Sequence, residues 1–238
     1  MRAPSIALVL ALGACSSTSH AEPDRARKER SQGADPKLNK RFLDPKLDVK
    51  RWIRNFEGES REVYAHRKDI VRALRLTSGM RVADIGAGTG LFEGLFDRAV
   101  GDDGVVYAID ISPRFLDHLR KRKRRDGWKR VQVIKGSAAS PNLAKSSVDL
   151  VFICDTYHHF TDVPEILADI KRALAPGGRL VIVDFHRIPG VSKKWILGHV
   201  RADMRTFKAE IEAAGLRFRG KLAIPGLKEN YALEFVRP

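Results

Sequence analysis

The stretch VADIGAGTG, Val82 to Gly90, decides the fold. It begins as a short apolar strand and passes into glycines at alternate positions, which let a backbone come close to a ligand. The dinucleotide fingerprint G-x-G-x-x-G is not completed in either frame, because Leu91 and Glu93 stand where its last glycine is required. The pattern is therefore acidic-x-Gly-x-Gly-x-Gly, and it begins at Asp84.

Outward from this stretch, strand and helix signals alternate. Nearly continuous apolar runs predict strands that are covered on both faces, at residues 81–85, 105–110, 131–135, 148–154 and 179–185. Helices are predicted between them, one from Thr89 and one from Ser112 with Pro113 in its first turn. The rhythm predicts an α/β fold: a Rossmann-like, doubly wound, mostly parallel sheet with helices on both faces. LRFRGKL and YALEFV predict a C-terminal antiparallel hairpin.

The motif resembles that of the class I S-adenosylmethionine-dependent methyltransferases of the small-molecule type, and the likeness covers most of residues 60–185. The resemblance implies that S-adenosyl-L-methionine is the cofactor and that Asp84 helps to hold its amino-acid end. It also implies that Asp110, at the tip of the second strand, binds both ribose hydroxyls. The loop that the resemblance places against the cofactor contains Gly86, Ala87, Gly88 and Gly90.

The adenine end departs from the family pattern. After the third strand the family often carries an acidic or polar residue, whereas this sequence has Ser137 and Ala138. Only a hydroxyl is offered there, so adenine binding is expected to depend on backbone and apolar contacts, with Ile111 as one wall. Asp155, at the tip of the fourth strand, is also assigned to the cofactor site.

A polar cluster, residues 154–160, follows the fourth strand, where open α/β sheets bind ligands. The small-molecule branch of the family often has a histidine pair here, and His158 or His159 is predicted to deprotonate the acceptor. Packing at the start of the next helix is the alternative for each, and a good nucleophile needs no base. A zinc site that adds Cys154 is not predicted, because no second ligand group at metal spacing is evident.

Outlying segments are candidates for the substrate side of the pocket. Tyr64 precedes the core, where the family frequently lays a helix over the cofactor. His186 and Arg187 follow the fifth strand, and Arg187 would receive an acidic group of the substrate. Tyr231 precedes the last strand. Packing is the alternative interpretation of each segment.

The N-terminus, residues 1–15, is typical of an export signal: a positive start, a short apolar run and small residues before Cys15. Leu-Gly-Ala-Cys resembles the lipobox of bacterial lipoproteins, which predicts a lipid anchor in the cell envelope, in the periplasm. Residues 16–47 are predicted to be a flexible polar tether, which leaves residues 48–238 as the domain. An ordinary cleaved signal peptide, or a cytoplasmic protein with a mis-called start, are the alternatives.

The formal net charge of +15, from 44 basic and 29 acidic residues, would attract anionic partners. The basic run at residues 120–130 belongs to a helix with an apolar face, so a solvated face is its first interpretation. Attraction to an anionic membrane surface is second. Nucleic acid is not favoured, because no recognition domain and little interleaving of aromatic with basic residues are evident.

These observations predict a methyltransferase that acts on an unidentified small-molecule or lipid-like acceptor. S-Adenosylmethionine is made in the cytosol, so an exported chain has a rival interpretation. The rival is a non-catalytic envelope protein that keeps the fold as a binding or scaffolding module. A cytosolic nucleic-acid methyltransferase with a mis-called start is the third hypothesis.

Overall fold

The computed structural model describes residues 33–238 and Met1, so the expected export signal and Cys15 lie outside the described residues. The strands are β1 (Arg81–Ile85), β2 (Val105–Asp110), β3 (Val131–Lys135), β4 (Val148–Cys154), β5 (Leu174–Phe185), β6 (Arg217–Lys221) and β7 (Asn230–Val236). They form one seven-stranded sheet in the order β3-β2-β1-β4-β5-β7-β6. The first five strands are parallel, and β7 runs antiparallel to both β5 and β6.

Nine α-helices surround this sheet in the described part of the chain. They are α1 (Lys37–Leu43), α2 (Val49–Phe56), α3 (Glu62–Ala65), α4 (Arg67–Ala73), α5 (Glu93–Ala99), α6 (Pro113–Asp126), α7 (Val163–Ala173), α8 (Lys194–His199) and α9 (Met204–Ala213). A 3-10 helix spans Tyr157–His159. None of the helices described within 33–238 has the length and apolar character that crossing a bilayer requires.

The predicted fold class is confirmed, and β1 to β4 have the predicted bounds. The apolar runs form strands because both faces of the sheet are covered. Along β4, Leu150 and Phe152 enter the core beneath α4, α5 and α6, whereas Val151 and Ile153 enter the core beneath α7 and α9. Strand β5 starts earlier than predicted, because Leu174 already pairs with β4 ahead of a register shift.

Helix starts follow the expected chemistry where a capping residue is present. Ser112 accepts a hydrogen bond from the backbone of Phe115, and Pro113 opens α6 as predicted. The helix predicted from Thr89 begins only at Glu93, because the glycine turn extends through Gly90, whose φ is +87°.

Residues 33–47, on the N-terminal side of the predicted boundary at residue 48, pack on the rest of the described chain. The backbone N–H of Ala34 donates to the carbonyl of Phe160 at 2.6 Å, and Asn39 Nδ2 donates to the carbonyl of His159 at 2.9 Å. The ring of Phe42 lies 4.9 Å from that of Trp52. A few apolar side chains in a polar segment therefore suffice to hold it on a surface that the sequence alone does not reveal.

Leu47→Ala is expected to destabilise the protein by about 2–5 kcal/mol, because Leu47 is only 5% exposed. Leu43→Ala is the matched control, since Leu43 is 48% exposed, and its effect should stay within about 0.5 kcal/mol. Chemical denaturation of both variants measures the difference. Equal, small effects would show that this segment is a tether after all.

Candidate active site

The candidate site lies where the strand order reverses, between β1 and β4. In open α/β sheets, ligands bind at the carboxyl ends of the strands at such a point. The loops that follow β1, β2 and β4 line one cavity of about 680 Å³. That volume is within the range of about 300–1,000 Å³ that is common for small-molecule sites.

The glycine loop brings backbone to the cavity wall. Gly86 has a φ of +83°, and a Cβ at this position would lie 2.4 Å from the Thr156 side chain, so only glycine fits. Gly86, Ala87 and Gly88 line the cavity as predicted. Gly90 does not, because it packs against Leu119 and Trp128 instead.

Asp110 ties this loop to the tip of β2. Its carboxylate accepts hydrogen bonds from the backbone N–H groups of Gly88 and Ser112, each at 2.8 Å. Burial raises the pKa of Asp110 to about 6, and these N–H groups oppose the rise. Ionised carboxylate oxygens have about four acceptor sites in all, so acceptor capacity remains for a ligand hydroxyl.

Asp84 lies beside a second buried acid, Glu93, which the sequence analysis did not assign to the site. Burial and the Glu93 charge hold the pKa of Asp84 well above its ordinary value. Burial also raises the pKa of Glu93 to about 7, and its interaction with Asp84 opposes the rise. A cationic ligand group beside this pair would favour the ionised carboxylates.

Ile111, Ser137 and Ala138 also line the cavity, at the end predicted to take adenine. The Ser137 hydroxyl lies 3.3 Å from the carbonyl oxygen of Ser140, to which it donates. The hydroxyl is thus engaged within its own loop, which is consistent with an adenine pocket that depends on backbone and apolar contacts.

Asp155 joins three parts of the chain at the cavity. Its φ of +46° is unusual for a non-glycine residue, and its carboxylate accepts hydrogen bonds from Arg61 Nη2 and Asn230 Nδ2, both at 2.6 Å. Burial raises the pKa of Asp155, while the Arg61 charge opposes the rise. Glu62 adds a second link, because it accepts the backbone N–H groups of Glu229 and Asn230 at 2.9 and 2.8 Å.

The two outlying segments reach the cavity with other residues than predicted. Arg61, Glu62, Glu229 and Asn230 line it. Tyr64 belongs to α3 but lies outside the lining. The guanidinium of Arg67 lies 4.0 Å from the centre of its ring.

The remaining substrate candidates also lie outside the lining. Tyr231 is 4% exposed and its ring is 5.2 Å from that of His186, so the two pack together. Arg187 donates to the carbonyl oxygens of Leu197 and Val200, at 3.1 and 2.9 Å. It therefore holds the end of α8 in place and is not free to receive a substrate acid.

The histidine pair does line the cavity, and the two rings have different surroundings. His158 Nδ1 lies 2.8 Å from Asp184 Oδ1, and Asp184 is fully buried. Its carboxylate also accepts the backbone N–H groups of His158 and Phe185. The geometry resembles the histidine and carboxylate of acid–base triads, in which the carboxylate fixes the ring and its tautomer.

His159 and His199 complete a group of three imidazoles, and His199 was not predicted. Burial, together with the nearby His158, His199 and Arg41, lowers the pKa of His159 to about 2. Burial, with His158 and Arg41, lowers the pKa of His199 to about 4. Both rings are therefore uncharged near neutral pH, and of the predicted pair only His158 is hydrogen-bonded to a buried carboxylate.

Aromatic side chains form the remaining wall of the cavity. No sequence pattern indicated that they would lie there. They are Phe42, Trp52, Phe56 and Phe115 near the N-terminal helices, with Phe185 and Trp195 beside the histidines. Phe42 bridges the two groups, because its ring meets that of His159 edge-on at 5.5 Å. The cavity is thus acidic at the glycine loop and apolar at the histidines.

Glu93→Gln is expected to flatten the pH dependence of stability. The pKa of Glu93 rises from 4.5 to about 7 on folding, so its stabilising contribution is complete below pH 4.5 and is lost as the pH rises through 7. One such group contributes a slope of at most about 1.4 kcal/mol per pH unit. Thermal unfolding between about pH 5 and pH 8 should show that the Tm of the variant rises relative to that of the wild type as the pH rises.

Glu59→Gln is the control for this measurement, because the Glu59 side chain is 77% exposed. Its unfolding curve should follow that of the wild type at every pH. Parallel curves for Glu93→Gln and the wild type would contradict the assignment of Glu93 as a strained buried acid.

Known methyltransferases resemble this chain in sequence. Residues 83–182 match the family model described as a methyltransferase domain. The chain is 33% identical over 110 residues to the ubiquinone/menaquinone biosynthesis C-methyltransferase UbiE of Vibrio campbellii, across 46% of this chain and 42% of that protein. It is 28% identical over 126 residues to the demethylmenaquinone methyltransferase of Listeria welshimeri, across 52% and 53% of the two chains. The chain thus spans about half the length of these relatives.

A solved methyltransferase structure has a similar fold. A SAM dependent methyltransferase from Aquifex aeolicus superposes with a TM-score of 0.67 and 24% identity, over 86% of this chain and 99% of that chain. At that identity the superposition establishes the fold alone, and the family match adds the sequence pattern. Residues 83–182 therefore match a methyltransferase domain, and the chain has the fold of a solved methyltransferase, in agreement with the resemblance.

Proposed function

We propose that this protein methylates a small, lipid-like ring hydroxyl compound of the quinol class. One observation carries the proposal: a single cavity joins the buried carboxylates of the glycine loop to an apolar end with three imidazoles. Two curated relatives support the acceptor class, since one is named for ubiquinone and menaquinone biosynthesis and the other for demethylmenaquinone.

The residues at the acidic end fit S-adenosylmethionine, which supplies an electrophilic methyl group and leaves as S-adenosylhomocysteine. Asp110 would accept hydrogen bonds from the ribose diol with the capacity that Gly88 and Ser112 leave free. Asp84, which lines the cavity, would face the ammonium group, whose positive charge stabilises its ionised form.

The residues at the apolar end fit a flat acceptor. The aromatic wall would hold its ring, and His158 would take the hydroxyl proton while Asp184 fixes the imidazole. Ionisation makes a neighbouring ring carbon more nucleophilic. S-Adenosylmethionine would supply its methyl group to this carbon as its sulfur–methyl bond breaks, and the ring proton would leave to solvent, which restores aromaticity.

An exposed patch next to the cavity supports a lipid-like acceptor. Ile188, Val191 and Trp195 are 44%, 77% and 49% exposed and lie within one short segment, which also carries Lys193 and Lys194. Apolar side chains flanked by lysines suit an anionic membrane surface. We propose contact with such a surface. The location in the cell envelope and the lipid at Cys15 remain predictions from the sequence.

Asp110→Ala is expected to weaken S-adenosylhomocysteine binding by about 10-fold or more, because hydrogen bonds to a charged group are worth about 1.5–3 kcal/mol each. Calorimetric titration measures it, and circular dichroism verifies that the variant folds. Asp117→Ala is the control, since Asp117 is a 60% exposed aspartate on α6. Equal affinity in the Asp110 and Asp117 variants would contradict the assigned cofactor site.

His158→Gln is expected to lower kcat by about 10²–10⁴, the usual contribution of a general base, with S-adenosylhomocysteine affinity unchanged. The assay uses a short-chain demethylmenaquinol analogue and separates the methylated product by chromatography. His186→Gln is the control, because His186 lies outside the cavity lining. Cofactor binding without any methylated product would favour the scaffolding hypothesis.

A further inference from the structure

We propose that His158, His159 and His199 bind a divalent transition-metal ion at the acceptor end of the cavity. One ring nitrogen from each residue lies within 4.8 Å of the other two. The ring centroids are 4.4 Å apart for His158 and His159, 5.0 Å for His158 and His199, and 4.9 Å for His159 and His199. Three imidazoles with one open position are a common ligand set of catalytic metal sites.

The ring of His158 is oriented as a metal ligand would be. Its Nδ1 is engaged by Asp184, which leaves Nε2 as the ligand atom. Metal-binding histidines usually donate their other N–H to a carboxylate, which fixes the ring and strengthens the ligand. Asp184 is itself held by two backbone N–H groups, so this second shell is already built.

The ring of His159 carries an unused polar atom. Its Nδ1 is buried and has no hydrogen-bond partner within the described residues 33–238. Buried polar atoms are normally satisfied, so an orphaned one indicates a missing ion, water or ligand. The unprotonated nitrogen of a neutral imidazole carries a lone pair, which a metal ion can accept.

The spacing requires only a small adjustment. Tetrahedral coordination with bonds of about 2.0–2.1 Å places ligand atoms about 3.3 Å apart, so the rings would close by at most about 1.5 Å. His199 is at the end of the short helix α8 and is partly exposed, which gives it room to move. All three residues line the cavity, so the fourth position would face the acceptor.

The charges around the cluster partly offset one another. The guanidinium of Arg41 disfavours a cation near His159 and His199, but it is held over the rings of Phe42 and Trp52, at 4.8 and 5.1 Å. Asp184 supplies the compensating negative charge behind His158. A set of neutral nitrogen ligands suits Zn²⁺, Co²⁺ or Fe²⁺ and does not suit Mg²⁺ or Ca²⁺.

A bound ion would deepen the proposed function, on which its catalytic meaning depends. The acceptor hydroxyl would displace a water from the open position and release its proton to solvent, so the ion acts as a Lewis acid. Nε2 of His158 can bind either the metal ion or a proton, but not both. When the metal ion is bound, it would therefore replace the imidazole as the group that ionises the acceptor hydroxyl. Metal binding itself does not depend on the acceptor.

The test is a titration of the full-length, tag-free, chelator-treated protein with Co²⁺ and with Zn²⁺. We expect one equivalent per chain, with the strong visible absorption of four-coordinate Co²⁺. His199→Ala should weaken binding by about 100-fold or more, and Asp184→Asn by about 10–100-fold, as for other second-shell carboxylates. His186→Ala removes an imidazole outside the cluster and should leave binding unchanged.

Absence of binding in the wild type, or equal binding by the wild type and His199→Ala, would overturn the proposed site. A parallel titration of the metal-free protein with S-adenosylhomocysteine separates the two proposals. Retained cofactor binding without metal binding removes only the metal site. Lost cofactor binding in a folded wild-type protein removes the proposed function while the metal result stands by itself.

Discussion

The site depends on one buried interaction, the hydrogen bond from the backbone N–H of Gly88 to the carboxylate of Asp110. It joins the glycine loop after β1 to the tip of β2, and so sets the width of the acidic end of the cavity. Because Asp110 is 7% exposed, its charge must be stabilised by backbone N–H groups and, in the complex, by ligand hydroxyls. Burial of the Asp110 charge therefore costs free energy, and the hydroxyls of a diol-bearing ligand would lower that cost.

The apolar end depends on long-range packing. Segment 33–47 reaches the loop after β4 through Ala34 and Asn39, and it brings Phe42 against His159. On the opposite side, Glu62 and Asp155 tie the N-terminal helices to the start of β7. The acceptor end is therefore assembled from segments distant in sequence, while the cofactor end comes from two successive strand tips.

That difference explains what could be predicted from the sequence. Strand bounds, Asp84, Asp110 and most of the glycine loop follow from local patterns, because a strand and its turn are encoded within a few residues. Tyr64 is predicted to reach the cavity, but Arg61 and Glu62 line it instead. The helix that contains Tyr64 has only four residues, so its sequence pattern does not show which face points inward. His199 and the aromatic wall could not be found, because their position depends on how distant segments pack. The pairing of His158 with Asp184 could not be predicted either, because it joins the loop after β4 to β5, 26 residues further along the chain.

The central claim is that the acidic and histidine-lined ends belong to one methyl-transfer site. A crystal structure of the protein with S-adenosylhomocysteine tests it most directly. We expect the ribose hydroxyls on Asp110, the amino-acid end at Asp84, and the sulfur directed toward His158. A ligand bound elsewhere, or with its sulfur directed away from the histidines, would contradict it.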